Sequence, residues 1–207
     1  MPWSSRRRSS TPKVSASVDD LRGTALPMDA GGLRVEAVQD AQVASLRYFD
    51  RAGSFCGVVR ETLGQPLPEA CRATVAAAGR DAQIVLAWRS PTETLLLCKA
   101  PAAFAGLEAG LAGVADGCMV NQTGGICVLR VLGPRRGDLL QRMGAPTAIP
   151  GLGLARGGRL AEVHVLTACI QEGELLLFVE RVYADHLVGW MRTTVADFSQ
   201  SPDQPLV

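Results

Sequence analysis

The sequence predicts an α+β fold, in which antiparallel or mixed β-sheets carry helices packed on one face. The chain has 207 residues, of which 47% are hydrophobic, and this is enough to bury a sizeable core in one domain or two small lobes. Strand-like and helical segments follow one another in the order strand, helix, hairpin, helix. The same order occurs twice, which allows the two halves of the chain to form related lobes.

The ends of the chain are predicted to lie outside this fold. Residues 1–32 are rich in Ser, Arg, Pro and Gly, and they offer too little apolar surface to offset the entropy lost on ordering. We expect a disordered basic tail there, a folded domain over residues 33–199 and a second disordered tail over residues 200–207. Arginines 6–8 could dock on an acidic partner, although a solvated tail is the simpler interpretation.

Composition excludes several classes of protein. The net charge is +1, so nothing in the overall charge requires a nucleic-acid partner. Arginines 6–8 are followed by polar residues rather than by the apolar stretch of an export signal. No segment approaches the roughly 18 apolar residues that a membrane helix requires. The sequence therefore predicts a cytoplasmic protein.

The first predicted strand and helix follow the tail. Residues 42–49 partly alternate between apolar and polar side chains, which is typical of a strand. Residues 54–63 are predicted to form a short helix. Gly64 and Pro66 are predicted to end this helix.

A hairpin and a second helix complete the first half. Residues 84–88 and 94–98 are apolar segments separated by a turn, in which Pro91 presets the backbone angle φ. Residues 101–111 are predicted to form a helix. Its first residue is Pro101, at a position where the missing N–H costs nothing.

The second half repeats the pattern of the first. Residues 126–132 are apolar on both faces except at Arg130, which is typical of a strand buried between layers. A helix follows, and then a loop rich in Gly and Pro that runs to about residue 158. Residues 161–170 and 175–179 are predicted to form another hairpin.

The last helix is predicted over residues 182–198. Apolar side chains recur in it at spacings of three and four residues, as on the buried face of an amphipathic helix. The predicted buried face consists of Tyr183, Leu187, Trp190, Met191, Thr194 and Phe198. His186 lies at the boundary of this face and is expected to pack on Trp190.

The sequence predicts no catalytic, cofactor-binding or metal-binding residue in this chain. It contains no Gly-x-Ser-x-Gly motif and no recognisable nucleophile–base pair. His164 alternates with Glu162, which indicates a solvent-facing pair on a strand rather than a catalytic dyad. The glycine-rich segment 151–157 lacks the G-x-G-x-x-G spacing of a nucleotide loop. Arg135 and Arg136 could clamp an anion, but at the start of a helix they are expected to be solvated.

The six cysteines are expected to be reduced residues of the core. No two of them have C-x-x-C spacing, and neither histidine has a cysteine at ligand spacing. Free cysteines behave as small apolar side chains, and most of these lie in apolar segments. They are Cys56, Cys71, Cys98, Cys118, Cys127 and Cys169.

Three segments resemble the gamma subunit of heterotetrameric sarcosine oxidase. Residues 86–97 (LAWRSPTETLLL) resemble its Trp-x-x-Pro-x-Glu-x-Leu-Leu hairpin, and residues 120–134 (VNQTGGICVLRVLGP) resemble its turn and strand closed by Gly-Pro. Residues 175–184 resemble its strand closed by Arg-Ser-x-Ala, with Val182 in place of Ser. The matches occur in the right order over roughly residues 41–198.

The resemblance implies an aminomethyltransferase-like fold and a structural subunit without an active site of its own. The implied complex oxidatively demethylates sarcosine to glycine with oxygen as the acceptor. Its FAD, FMN, NAD and tetrahydrofolate are expected on the partner subunits alpha and beta, and its zinc on delta. This chain is expected to carry no cofactor, to pack against alpha and beta, and to contact neither nucleic acid nor membrane.

Two other functions remain open at this stage. One is a stand-alone folate-dependent one-carbon transferase or folate-binding regulator; the other, weaker one is association with RNA through the basic tail. Aminomethyltransferases resemble this chain but carry an Asp where Asn121 stands. An amide cannot ionise, so the substitution favours a non-catalytic role.

Trp88 is the predicted contact point with a partner. It ends a strand beside Arg89 and the Pro91 turn, where a side chain can be half exposed. Tryptophan and arginine are enriched in interfaces. The sequence therefore predicts that the Trp88–Pro91 corner lies at or near a subunit contact.

Overall fold

The computed structural model describes residues 26–77, 83–144 and 149–200, with the side chains of residues 199 and 200 excepted. Arginines 6–8 and the C-terminal segment 201–207 lie outside these ranges. Within them the chain forms two antiparallel sheets and four helices, which confirms the predicted α+β class.

The elements are as follows in chain order. The strands are β1 (Met28–Ala30), β2 (Leu33–Ala37), β3 (Gln42–Tyr48), β4 (Ala73–Ala77), β5 (Ile84–Ser90), β6 (Glu93–Cys98), β7 (Gly117–Asn121), β8 (Ile126–Leu132), β9 (Leu154–Leu160), β10 (Val163–Gln171) and β11 (Glu174–Glu180). The helices are α1 (Ser54–Leu63), α2 (Pro101–Leu111), α3 (Arg136–Arg142) and α4 (Arg181–Gln200).

The two sheets belong to two related lobes. The first sheet has the strand order β4-β5-β6-β3-β7 and packs on α1 and α2; the second has the order β1-β2-β8-β11-β10-β9 and packs on α3 and α4. Strand, helix, hairpin and helix follow one another from β3 to α2 and again from β8 to α4. The predicted relation between the halves is thus confirmed. Strand β7 flanks β3 in one lobe, and β2 occupies the same place beside β8 in the other.

The inner faces of the sheets meet in an apolar layer, which we call the inter-sheet layer. The strands of both lobes contribute alternate side chains to it, while the intervening side chains face the helices. It consists of Val38, Val43, Ala73, Val85, Ala87, Leu95, Leu97, Ile126, Val128, Ala155, Leu166, Ala168, Leu176 and Phe178.

The sheets are also joined by their backbones at one edge. The N–H of Ala73 donates to the carbonyl oxygen of Gly153 at 3.0 Å, and the N–H of Ala155 donates to that of Cys71 at 2.9 Å. These bonds connect the start of β4 to the start of β9. The first and second sheets therefore meet at their β4 and β9 edges.

Some strands lie where the sequence predicts none. Met28–Ala30, within the predicted tail, forms β1, because it pairs with β2 and buries Met28. Leu154–Leu160, within the predicted loop, forms β9 by pairing with β10. The segment LARGGRL has little apolar alternation of its own, so its strand depends on the neighbouring β10.

The buried face of α4 differs from the predicted one. Tyr183 and Trp190, predicted to be buried, are 50% and 52% exposed. The aliphatic side chains of Ala184 and Val188 are fully buried against the rest of the second lobe, so the two large aromatic side chains lie on the other side of the helix. The buried apolar face consists of Ala184, Leu187, Val188, Met191, Val195 and Phe198.

Helix α1 is capped by a residue distant in the sequence. Its N-cap, Gly53, has no side chain to accept hydrogen bonds. The carboxylate of Asp116 fills this role, because its Oδ1 accepts from the N–H of Phe55 at 3.1 Å and from Oγ of Ser54 at 3.0 Å. The start of α1 is thereby attached to the segment that leads into β7.

We expect Asp116→Asn to lower the melting temperature at neutral pH but not in acid. Desolvation acts to raise the pKa of Asp116, but hydrogen bonds from Phe55 and Ser54 outweigh it and hold the pKa below its ordinary value. A depressed carboxyl pKa stabilises the fold above the unfolded-state pKa, and this stabilisation is lost as pH falls through the folded-state pKa. Melting temperatures from pH 7 to pH 3 test this, with the exposed Glu69→Gln as control. A difference that does not change with pH would contradict it.

Candidate functional site

A cleft of about 570 Å³ opens at one end of the inter-sheet layer. Its floor is apolar and comes from both lobes. It is formed by Leu95 of β6, Ile126 of β8, Leu166 of β10 and Phe178 of β11, each at most 9% exposed. The cleft is therefore a gap between the sheets rather than a groove on one of them.

Charged side chains surround the mouth of the cleft. Arg89 comes from β5 of the first sheet. Arg159 and His164 stand opposite each other in the register of β9 and β10, and Glu180 ends β11 of the same sheet. All four residues are exposed or partly exposed, so the mouth combines three basic groups with one carboxylate.

Strand periodicity explains why these charges face the cleft. Side chains two residues apart lie on the same face of a strand. Arg89 therefore continues the inward face of Ala87, and Arg159 continues that of Ala155 and Gly157. Each strand changes from apolar to charged side chains where the inter-sheet layer reaches solvent.

A charged cluster closes another part of the space between the lobes; we call it the Arg130 cluster. Arg130 is paired with Glu174 at 3.0 Å and with Glu36 at 3.6 Å, on the neighbouring strands β11 and β2. Its Nη2 also donates to Oε1 of Gln83, beside the first sheet, at 3.2 Å. The one polar residue of the apolar strand β8 thus links the two sheets.

Asn121 shapes the turn between β7 and β8. Its Oδ1 accepts from the N–H of Thr123 at 3.0 Å and from Oγ1 of Thr123 at 2.7 Å. Oγ1 of Thr123 in turn accepts from the N–H of Val43 at 3.1 Å. This is an Asx turn, in which the amide oxygen takes the place of a backbone acceptor.

We expect Asn121→Ala to destabilise the fold by about 1 kcal/mol, the usual contribution of a local hydrogen-bond pair. Asn121→Asp keeps an oxygen acceptor at the same place and is the matched control. Urea unfolding of both variants measures the difference. Equal losses in the two variants would show that the accepted hydrogen bonds are unimportant.

Arg135 and Arg136 are not solvated as predicted. The guanidinium of Arg135 lies 4.1 Å from the centre of the Phe198 ring and pairs with Asp138 at 3.4 Å. Nη1 of Arg136 donates to the carbonyl oxygen of Gly133 at 3.1 Å. A planar guanidinium stacks well on an aromatic face, and the packing of α3 against α4 makes this contact available.

The two histidines lie in different environments. Glu162 was predicted to share a strand with His164, but it occupies the turn before β10 with a φ of 66°. His164 is exposed at the mouth of the cleft. His186 is exposed on α4, with Nε2 3.2 Å from the carbonyl oxygen of Ala161.

The cysteines are all free, and four of them are buried as predicted. Burial raises the pKa of these four thiols, which makes them less reactive. They are Cys56, Cys98, Cys127 and Cys169. Cys71 is half-buried and Cys118 is exposed on β7, so the core assignment is wrong for Cys118. Within the described ranges no group of His, Cys, Asp and Glu is arranged to hold a metal ion.

The predicted contact corner is part of the first sheet. Trp88 is half-buried and follows the inside–outside alternation of β5, so it faces the helix side, whereas Arg89 faces the cleft. Pro91 is exposed in the turn. Sequence reasoning considered Arg89 only as a neighbour of Trp88 and did not single out Arg159. Arg89 and Arg159 share one sequence feature, which is a charged residue at a position that continues the inner face of a strand.

Comparison with known proteins identifies the class of fold. The sequence matches no protein-family model and no curated protein sequence at a significant level. The structure is similar to glycine cleavage system aminomethyltransferase T from Bartonella henselae, with a TM-score of 0.59 and 13% identity over 77% of this chain and 45% of that one. The chain thus has an aminomethyltransferase-like fold and spans less than half of that enzyme's chain.

A second likeness extends over almost the whole of another chain. The structure matches a chain of heterotetrameric sarcosine oxidase from Corynebacterium sp. U-96, solved in complex with pyrrole 2-carboxylate, with a TM-score of 0.71 and 21% identity. The match covers 87% of this chain and 91% of that chain. None of the helices in the described ranges has the length and apolar character of a membrane-spanning segment.

Proposed function

We propose that this chain is a non-catalytic accessory subunit, gamma-like, of a cytoplasmic sarcosine-oxidase-type complex. The observation that carries the proposal is the likeness to 91% of one chain of a heterotetrameric sarcosine oxidase. The match extends over 87% of this chain, so the proposed role concerns the fold as a whole and not one segment of it. In this proposal the complex demethylates sarcosine to glycine, and FAD, FMN, NAD and tetrahydrofolate are held by its alpha and beta subunits.

The chemistry at Asn121 supports an accessory role over the alternative of a one-carbon transferase. A transferase of the resembling type would have a carboxylate there, able to act as a base. The amide of Asn121 is instead engaged by Thr123 in a turn. This position therefore contributes to the structure of the β7–β8 connection.

The outer face of α4 offers a surface for a partner subunit. Val182 is 79% exposed, and Tyr183 and Trp190 are about half exposed, all on the side away from the second sheet. We call these three residues the α4 outer face. Aromatic side chains that are half exposed in a free subunit are frequent anchors of interfaces. We expect the α4 outer face to contact alpha or beta.

Purification from the native host tests the proposal directly. A tagged form of this chain should recover two flavoprotein subunits and a small zinc-binding subunit in fixed ratio, identified by mass spectrometry, together with sarcosine oxidase activity. The isolated chain should be colourless and inactive. Recovery of the chain alone, or stoichiometric flavin in the isolated chain, would contradict the proposal.

We expect Trp190→Ala to weaken assembly by about 2 kcal/mol, roughly 30-fold in Kd, because an exposed tryptophan anchor loses its contacts with the partner. The melting temperature of the free chain should change little, since Trp190 is 52% exposed. Trp88→Ala is the matched comparison, because Trp88 was the contact residue predicted from the sequence and is more buried than Trp190. For either tryptophan, an unchanged Kd with a lower melting temperature would assign that residue to the core.

A further inference from the structure

We propose that the cleft at the mouth of the inter-sheet layer binds a small, flat organic anion. Its apolar body would lie between the two sheets, and its carboxylate would meet Arg89, Arg159 and His164 at the rim. This inference concerns the isolated chain and stands independently of the proposed function.

The cleft has the size and floor of a ligand site. Its volume of about 570 Å³ lies within the usual range for small-molecule pockets, and its floor is built from buried apolar side chains of both sheets. Packed sheets are separated by roughly 10 Å, so the gap between them favours a planar body.

Space reaches the backbone of β9. Gly157 lies on the inner face of this strand and stands opposite Leu166 in the register with β10. A Cβ atom placed on Gly157 would meet no atom within 4 Å. A side chain at this position would therefore extend into the cleft, and the glycine leaves that volume open.

The basic groups at the rim are available to a ligand. Arg89 pairs with Glu93 at 3.3 Å, but Glu93 also has Arg47 at 3.6 Å and a hydrogen bond from Ser45. Glu93 therefore keeps partners when Arg89 turns to a ligand. Arg159 pairs with Glu162 at 3.5 Å. Both side chains are exposed, and such surface ion pairs contribute little to stability.

The Arg130 cluster fills another part of the space between the two sheets and can be compared with the cleft. There one arginine is matched by the two carboxylates of Glu36 and Glu174. At the mouth of the cleft, Arg89 shares Glu93 with Arg47, Arg159 pairs with the exposed Glu162, and Glu180 lines the cavity beside them. This difference favours an anionic ligand, because a carboxylate of suitable shape can replace these shared or exposed partners on the guanidinium forks.

Titration of the full chain with 2-naphthoate, followed by calorimetry and NMR, tests the proposal, with the neutral 2-naphthamide as the matched ligand. We expect naphthoate to bind at least about tenfold more tightly than the amide, since only the carboxylate makes charge-assisted hydrogen bonds. Arg89→Gln and Arg159→Gln should each weaken naphthoate binding by about tenfold. Arg156→Gln, on the opposite face of β9, should leave binding unchanged.

Filling the cleft provides the second arm of the experiment. Gly157→Leu adds an apolar side chain to the open volume and should abolish naphthoate binding while a melting curve confirms a folded chain. If Gly157→Leu does not fold, the two rim variants and the Arg156→Gln control decide the question. No binding of naphthoate, equal binding of the amide, or binding that persists in folded Gly157→Leu would overturn the proposal.

Discussion

Arg130→Met is expected to destabilise the protein by about 3 kcal/mol, the cost of leaving a buried carboxylate without its partner. The side chain of Glu174 is only 11% exposed and lies 3.0 Å from the guanidinium. Glu36 is a second carboxylate of the cluster, at 3.6 Å. Methionine replaces the apolar stem of arginine but leaves the charge of Glu174 without this partner in the space between the sheets, whereas Glu36 keeps its pair with Arg34 at 2.9 Å.

Urea unfolding of Arg130→Met and of the double variant Arg130→Met/Glu174→Gln measures the coupling. The double variant should recover part of the loss, because the amide removes the charge that lost its partner. Arg34→Met is the matched control, since Arg34 makes exposed pairs with Asp29 and Glu36 and should lose less than about 1 kcal/mol. A loss in Arg130→Met no larger than that control would show that the cluster does not stabilise the fold.

Gly133→Ala is expected to cost about 3 kcal/mol, from backbone strain and overpacking together. Gly133 has a φ of 109°, a conformation that side chains rarely adopt, and a Cβ atom there would collide with the carbonyl oxygen of Gly32. Its N–H also donates to the carbonyl oxygen of Gly173 at 3.0 Å. The substitution therefore disturbs the place where β8 leaves the second sheet next to β2 and β11.

Gly173→Ala separates the two causes. Gly173 also has a positive φ, of 80°, but a Cβ atom there would meet no atom within 4 Å. The Gly173→Ala variant should lose about 1 kcal/mol of stability, because it suffers backbone strain without a collision. Thermal and urea unfolding of both variants give the comparison. Equal losses at 133 and 173 would mean that the collision with Gly32 is relieved at no cost.

Elements with strong local signals were predicted from the sequence with correct bounds. Helix α1 ends before Gly64, α2 begins at Pro101, and β8 is a continuous apolar segment. Strands β4 and β9 could not be predicted in this way, because their own residues carry little periodicity and their hydrogen bonds come from neighbouring strands. The sequence of β10 indicates a strand, whereas the sequence of β9, which pairs with β10, does not.

The candidate site depends on tertiary structure in the same sense. Arg89 and Arg159 are each ordinary exposed residues in the sequence, and only the packing of two sheets places them on one cleft. The outward position of Trp190 was equally hidden, because its spacing fits a buried face as well as Leu187 does. Asn121 has a clearer local signal, because Asn favours turns and two glycines follow shortly after it, and its side chain forms an Asx turn.

The position of β2 has a consequence for how the chain folds as it is synthesised. Residues 34–37 of β2 pair with residues 129–132 of β8, far along the chain. The strands of the first sheet, in contrast, all lie between β3 and β7 in the sequence. At ordinary elongation rates the β1–β2 hairpin leaves the ribosome roughly 5 to 20 s before β8 does. The first lobe can complete its own sheet during this interval, while β2 still lacks its partner β8. Nascent-chain folding should therefore proceed from the middle of the sequence outward, with β2 pairing last, once β8 has been synthesised.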